Sequence, residues 1–338
     1  MKTVMQIMWH LNNECNFQCL HCYEESFNPN PIDRWEFQLS VIDRIVELQK
    51  FREIIRVGLL GGEPLFDPNI AKVVDTLYDR GIKRVDISTN GSLVDKEMVK
   101  ALKKVNVTMA QISLEGPVAK VNDKVRGRGS FDKAIKGLRL FNEFGISTGI
   151  MMTVTKFNLQ FIEEMVAFGL KESVNIVSFN RMLPLGRGKK HKLPVLDAEE
   201  VKQMITLIHL LDENNPGIEV SSDDPLLYVP INGKSYTTNT YGGCGAGIGN
   251  LAICHDGTVF PCRRLPVEIG NTTNNSLIDI INSSTLDCLY DRENFTKGKC
   301  RTCDYRQICG GCRASALAFT GDYLQSDPQC WQNPEQRR

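Results

Sequence analysis

The chain has 338 residues, 42% of them hydrophobic and 24% charged, and its forty basic residues balance forty acidic ones. That length suits one large and one small domain with buried cores, and the charge balance offers no field to draw in nucleic acid or an anionic membrane. No stretch reaches the ~18 uninterrupted apolar residues of a membrane span, and the N-terminus lacks the features of a signal peptide, so a soluble cytoplasmic protein is expected.

In chain order, short apolar runs alternate with amphipathic stretches. Strands are predicted at Val4–Leu11, Ile54–Leu60, Arg84–Ser88, Met109–Leu114, Thr148–Thr155 and Asn175–Phe179. Helices are predicted at Asp33–Lys50, Asn69–Arg80, Asp95–Val105, Ser130–Phe144, Leu159–Leu170 and Ala198–Asn214. Six βα units in succession give an α/β fold with a parallel sheet, doubly wound or curved into a partial barrel. Arg187–Lys192 is a basic loop after the sixth strand, either solvated or placed to meet an acidic peptide or tetrapyrrole carboxylates. The stretch 216–240, rich in Pro, Asn, Ser and Thr, reads as a connection between domains at 1–215 and 241–338. Asp223, Asp224 and Tyr241, in or beside it, are acid/base candidates by position alone. Beyond it, Leu251–Ile253 and Thr258–Phe260 flank His255-Asp256-Gly257 as a hairpin. Ser276–Ser283 reads as a short helix, and the rest as cysteine loops.

The twelve cysteines are bunched: Cys15, Cys19 and Cys22 lie together, nine fall between Cys244 and Cys330, and residues 23–243 hold none. In a reducing compartment that placement argues for metal ligands over disulfides. The first triplet directly follows the first strand, so it sits at the mouth of a parallel barrel, where active sites are built. Three thiolates without a fourth can hold a [4Fe–4S] cluster with one iron open to an outside ligand. A zinc site completed by His21 or His10, or three unrelated buried thiols, are the other readings of these residues.

This CxxxCxxC spacing after the first strand resembles the signature of the radical S-adenosylmethionine superfamily. The resemblance implies a partial (β/α)6 TIM-like barrel in which the open iron chelates S-adenosylmethionine. One electron then breaks the sulfonium C–S bond and releases a 5′-deoxyadenosyl radical. Further motifs occur in the family's order. Gly61-Gly62-Glu63-Pro64 ends the second strand, where glycine admits close backbone approach and a carboxylate can accept from an ammonium; it resembles the motif that holds the methionine amino group. Ser88 and Asn90, in Ser88-Thr89-Asn90-Gly91, match polar contacts to the ligand. Ser113-Leu114-Glu115-Gly116 resembles S-x-D-G with Glu115 in place of the ribose-contacting aspartate. Arg126, in an Arg-Gly pair, implies a partner for the methionine carboxylate, and Leu183, in Asn180–Pro184, flanks the adenine.

The C-terminal cysteines read Cys300-x2-Cys303-x5-Cys309-x2-Cys312, with seventeen residues between Cys312 and Cys330, and Cys244 and Cys262 upstream. Two CxxC pairs suggest zinc, but the gap between them is short of the ~15–20 residues of a zinc knuckle. Seven thiolates also exceed the four of one zinc site. The set resembles the SPASM domain, a small cysteine-rich iron–sulfur domain at the C-terminus of many radical S-adenosylmethionine enzymes, although the last spacing is two residues where three is usual. The resemblance implies two auxiliary [4Fe–4S] clusters, three clusters in all. Cys300, Cys303, Cys309 and Cys330 would hold the outer one. Cys244, Cys262 and Cys312 would hold the inner one, its fourth site open or filled by Cys254 or a substrate group. Cys288 fits no position.

SPASM enzymes are mostly maturases, so the resemblance implies oxidative modification of a ribosomal peptide or protein. It also implies a low-potential electron donor of flavodoxin or ferredoxin type, and a separate peptide-recognition protein if the missing N-terminal peptide-binding domain is supplied in trans. The start at the first barrel strand and the ending Gly321-Asp322-Tyr323-Leu324-x2-Asp327-Pro328-x-Cys330 favour the alternative, side-chain modification of a tetrapyrrole in the haem pathway. A non-catalytic iron–sulfur electron carrier or zinc scaffold is the reading of another class; the Gly61–Pro64, Ser88–Gly91 and Arg126-Gly127 motifs have no purpose in it.

Overall fold

The computed structural model describes residues 4–25, 34–231 and 243–333. Met5, Ile7 and Trp9 alternate inward along strand β1 (Val4–His10), which starts a parallel sheet. The strands β2 (Glu53–Leu60), β3 (Val85–Thr89), β4 (Met109–Ser113), β5 (Ser147–Val154) and β6 (Ile176–Arg181) follow, each parallel to the one before. Between β1 and β4 run helices α1 (Arg34–Leu48), α2 (Ile70–Asp79) and α3 (Lys96–Lys104). Then come α4 (Ala119–Arg126), α5 (Ser130–Glu143), α6 (Ile162–Lys171), α7 (Gly186–Lys190) and α8 (Ala198–Asn214). Ile42 and Ile45 of α1, Leu138 and Phe141 of α5, and Met204 and Ile208 of α8 join one core with the strands. Side chains start two of these helices: Asp95 accepts from the Met98 amide, and Asp197 with Glu200 forms a capping box. The registers His10↔Leu60, Ser113↔Met151 and Val154↔Arg181 bring the C-terminal strand ends level at one mouth.

The six predicted strands and helices are present as a partial barrel, with α1 starting at Arg34 because Asp33 lies outside the described residues. Up to residue 231 three elements were not foreseen, and beyond it β10 and three short helices stand where cysteine loops were expected. β7 (Glu219–Ser221) pairs parallel with β6 inside the stretch read as a connection; three residues are too few to show a period. The inward face of α4 is Val121, Asn122 and Val125, which makes no apolar stripe. The basic loop folds into α7, whose Arg187 is buried while Lys189 and Lys190 face water.

The C-terminal hairpin has the predicted strands, β8 (Asn250–Ile253) and β9 (Thr258–Phe260), followed by β10 (Gly270–Asn271). It does not stand apart: β8 lies parallel to β1, from Gln6↔Asn250 to Trp9↔Ile253, so the barrel sheet continues as β10-β9-β8-β1-β2 and on to β7. The helices α9 (Leu277–Ile281), capped by Ser276, α10 (Asp287–Tyr290), α11 (Arg292–Phe295) and α12 (Arg313–Thr320) complete the described residues. Among the described residues no helix is long and apolar enough to cross a membrane.

Candidate active site

The loop after β1 carries Cys15, Cys19 and Cys22 to a single cleft at the barrel mouth, with about 1200 Å³ of empty space counted out to its open end. Neighbouring elements pin the loop in place. The Leu20 amide donates to the Val125 carbonyl of α4 at 2.9 Å, and Asn90, after β3, donates to Asn16 at 3.0 Å. The α7 entry packs beneath Cys22 so closely that a Cβ on Gly186, whose φ is +48°, would lie 2.2 Å from the Tyr23 carbonyl oxygen.

None of the twelve cysteines forms a disulfide. Burial pushes the Cys15 thiol up to about 11, with Glu63 and the other two thiols adding to the rise, and burial likewise raises Cys19. Three thiols so placed deprotonate together only around a cationic centre. N–H donors already approach the sulfurs: Phe17 N is 3.4 Å from Cys15 Sγ, and Arg126 Nη1 is 3.8 Å from Cys19 Sγ. Among the described residues no three His, Cys, Asp or Glu side chains are gathered for a single metal ion. Three thiols bordering one cleft are the donor set of a [4Fe–4S] cluster with one iron left open.

Gly61, Gly62, Glu63, Ser88, Asn90, Ser113, Arg126 and Leu183 all border the same cleft. Pro64 does not; it is buried at the start of a 3-10 turn, Pro64–Phe66. The glycine at 62 has a different purpose from the one read in the sequence. A Cβ there would lie 2.1 Å from the Glu14 carbonyl oxygen, so its absence admits the cysteine loop itself. Glu63 is buried and accepts from Thr89 Oγ1 at 2.6 Å, the Asn90 amide at 2.8 Å and the Leu65 amide at 3.1 Å. Its carboxylate is therefore a brace between β2 and β3.

Glu115 departs furthest from expectation. It is fully buried and does not border the cleft. One oxygen accepts from His21 Nε2 at 2.7 Å and from Arg126 Nη2 at 2.6 Å, and the other from the Thr153 amide at 2.8 Å. Burial is the largest influence on this carboxyl and would raise it, but His21 and Arg126 together hold it at about 2. With its lone pairs committed, Glu115 ties the cysteine loop to α4 and aims Arg126, where the sequence suggested a ribose contact.

Cys244, Cys262 and Cys312 share a small apolar cluster with Leu183, Leu265 and Ala314, which places the inner set directly behind the cleft wall. In the outer set, Cys309 and Cys330 each lie within electrostatic reach of Cys300. The Gly311 amide points at Cys309 Sγ at 3.3 Å and the Gln332 amide at Cys330 Sγ at 3.4 Å. Cys303 follows one turn after Cys300, its amide on the Cys300 carbonyl at 3.4 Å. Cys254 is elsewhere: its electrostatic neighbours are Asp256 and Glu24 of the cysteine loop, and burial pushes its thiol to about 12. Cys288 packs half-buried against the core, 3.4 Å from the Tyr323 hydroxyl.

The sequence reading missed a buried hub. Arg181, at the end of β6, donates to Asp224 Oδ2 at 2.5 Å and to Asp327 Oδ2 at 2.5 Å, and Asp327 also takes the Cys312 amide at 3.2 Å. Asp224 is thus an anchor, Asp223 stands at the mouth beside Arg263, and Tyr241 lies outside the described residues. A charged residue ending an otherwise uncharged strand was the available signal for Arg181.

Residues 9–169 match the model of the radical SAM superfamily, and residues 244–304 that of the iron–sulfur cluster-binding SPASM domain. The chain is 31% identical to the AdoMet-dependent heme synthase of Methanosarcina barkeri, over 97% of this chain and 96% of that protein. It is 29% identical to the mycofactocin maturase MftC of Mycobacterium tuberculosis, over 96% of this chain and 82% of that one. Its fold is similar to that of Streptococcus suis SuiB bound to S-adenosylmethionine, with a TM-score of 0.78 and 20% identity over 98% of this chain and 78% of SuiB.

Proposed function

The chain belongs to the radical SAM superfamily and carries a SPASM domain, and from that premise we propose that it reductively cleaves S-adenosylmethionine to modify a ribosomal peptide or protein oxidatively. Its cofactors are S-adenosylmethionine and [4Fe–4S] clusters, one that binds S-adenosylmethionine and two auxiliary. Cys15, Cys19 and Cys22 would hold the first cluster, which would supply the electron for reductive cleavage of the sulfonium C–S bond.

The chain's own residues bind and orient. The Gly61–Glu63 edge receives the methionine amino group, and Arg126, aimed by Glu115, pairs with its carboxylate. Ser88, Asn90 and Ser113 offer polar contacts, and Leu183 gives the adenine an apolar wall. Cys300, Cys303, Cys309 and Cys330 hold the outer auxiliary cluster. Cys244, Cys262 and Cys312 would hold the inner one, its fourth site open or filled by Cys254 or a substrate group. Auxiliary clusters suit an oxidation, since a substrate radical must lose an electron after hydrogen abstraction. A flavodoxin- or ferredoxin-type protein delivers the first electron.

The observation that carries this reading is the convergence of three free thiols, the Gly61–Glu63 edge, Asn90 and Arg126 on one cavity. Collinearity with the M. barkeri heme synthase along nearly the whole chain favours a second substrate, a tetrapyrrole side chain. The test is anaerobic reconstitution with S-adenosylmethionine and a strong reductant, with 5′-deoxyadenosine measured by mass spectrometry. It is run alone, with a small-peptide fraction and with a tetrapyrrole fraction. Stimulation by one fraction decides the substrate; no 5′-deoxyadenosine from cluster-loaded protein refutes the activity.

A further inference from the structure

We propose that Arg263 is the group by which the cavity grips a carboxylate of the substrate; the proposal rests on the cavity being the radical site described above. Cys262 and Leu265 close a tight turn: the Leu265 amide donates to the Cys262 carbonyl at 2.9 Å, the two residues bridge antiparallel, and Leu265 is fully buried. Arg263 and Arg264 are the central residues of that turn, and both border the cavity.

The cations on this wall are not equivalent. Arg126, held by Glu115 at 2.6 Å, is the partner assigned to the cosubstrate's carboxylate, and Arg181 is committed to Asp224 and Asp327 at 2.5 Å each. Arg264 lies within electrostatic reach of Cys312 and Cys262 and donates to the Arg181 carbonyl at 3.5 Å, so its charge balances the inner thiolates. Arg263 instead meets Asp223 Oδ2 at 3.2 Å, a carboxylate 60% exposed, and its own side chain is 19% exposed. Pairs so open to water hold weakly. The contact uses one of the guanidinium's five N–H donors, and its planar fork suits a bidentate carboxylate.

The carboxylates on the wall do not compete for it. Glu63 is taken by Thr89, Leu65 and Asn90, and among the described residues Arg263 pairs with Asp223 and not with Glu24. An entering carboxylate therefore displaces Asp223 and is held beside the inner cluster. Both a propionate-type tetrapyrrole side chain and an acidic or C-terminal carboxylate of a peptide have this chemistry.

The test is equilibrium binding to the cluster-loaded protein. A porphyrin with four propionates is compared with its tetramethyl ester by Soret absorbance. A fluorescent glutamate-rich peptide is compared with its glutamine counterpart by anisotropy. One acidic probe binds at least tenfold more tightly than its neutral counterpart, and which one it is identifies the source of the carboxylate. R263A weakens that probe at least tenfold, and R263K restores part of the loss. D223N, which removes the internal competitor, tightens binding. Equal binding of acidic and neutral probes, binding of neither acid, or acid binding by iron-replete R263A equal to wild type overturns the proposal. So does D223N weakening binding as R263A does, since the pair would then be structural. Should R263A fail to load iron, R263K and D223N still decide. Failure of the radical reading shows separately, as wild-type protein that makes no 5′-deoxyadenosine.

Discussion

Replacing Arg181 with methionine tests how the cysteine-rich segment is held on the barrel. The guanidinium is wholly buried and joins β6 to Asp224 after β7 and to Asp327 and Gln329 near the C-terminus. R181M keeps an unbranched apolar stem but removes the guanidinium that bridges two carboxylates, 1% and 0% exposed. Breaking a buried pair from one side costs about 3–5 kcal/mol. Donors that remain ease this: Asp327 still accepts from Ser315 Oγ at 2.7 Å and the Gln329 amide at 3.0 Å, and Asp224 from the Leu226 amide at 3.0 Å. A loss near the lower end, about 3 kcal/mol, is therefore expected in anaerobic urea unfolding of cluster-loaded protein. Auxiliary iron falls too, because Asp327 orders the Cys312 amide and precedes Cys330 by three positions. The pH dependence has a definite sign. Burial is the strongest influence on Asp327 and would raise its carboxyl, but Arg181 holds it below the usual aspartate value. Its stabilisation is thus present above that usual value and lost as pH falls through the lower folded one; without Arg181 burial raises the carboxyl, acid neutralises the stranded charge, and R181M loses less stability than wild type over the same fall in pH. An R181M protein within about 1 kcal/mol of wild type, with full iron and an unchanged acid profile, would refute this account of the hub.

Three further changes follow from the geometry. E115Q removes the charge that holds Arg126 and His21; at about 1.5–3 kcal/mol per charge-assisted bond, S-adenosylmethionine affinity falls roughly 10–100-fold, and unchanged affinity by equilibrium dialysis would contradict the aiming role. G62A puts a Cβ 2.1 Å from the Glu14 carbonyl oxygen and must displace the cysteine loop, so iron is lost from the first site while the auxiliary signals persist in electron paramagnetic resonance. Full loading of all sites would show that the loop tolerates the displacement. D95A removes the cap on the Met98 amide and costs about 1 kcal/mol in thermal or urea unfolding; no change would mean α3 starts without it.

The barrel was legible because its strands and helices carry clean periods, as in the alternation of Met5, Ile7 and Trp9. The cysteine sets and the Gly61–Glu63, Asn90 and Arg126 positions were legible because ligand spacing after a strand end survives in one dimension. Purposes were less so. Glu115 reads as a ligand contact until its distances to His21 and Arg126 show both oxygens taken. Gly62 reads as a ligand approach until the Glu14 carbonyl is seen against it. The parallel pairing of β8 with β1 joins residues more than 240 positions apart and leaves no local trace. The Arg181 hub was hidden for the same reason, since Asp327 is 146 residues from its partner.

The central claim is that Cys15, Cys19 and Cys22 form the S-adenosylmethionine-cleaving centre and that the C-terminal thiols do not. The direct measurement is 5′-deoxyadenosine production by wild type and C19A, each reconstituted anaerobically, with iron and sulfide quantified and the clusters followed by Mössbauer spectroscopy. The account predicts product from wild type, none from C19A, and auxiliary signals undiminished in the variant. Continued cleavage by C19A, or loss of every cluster signal at once, would contradict it.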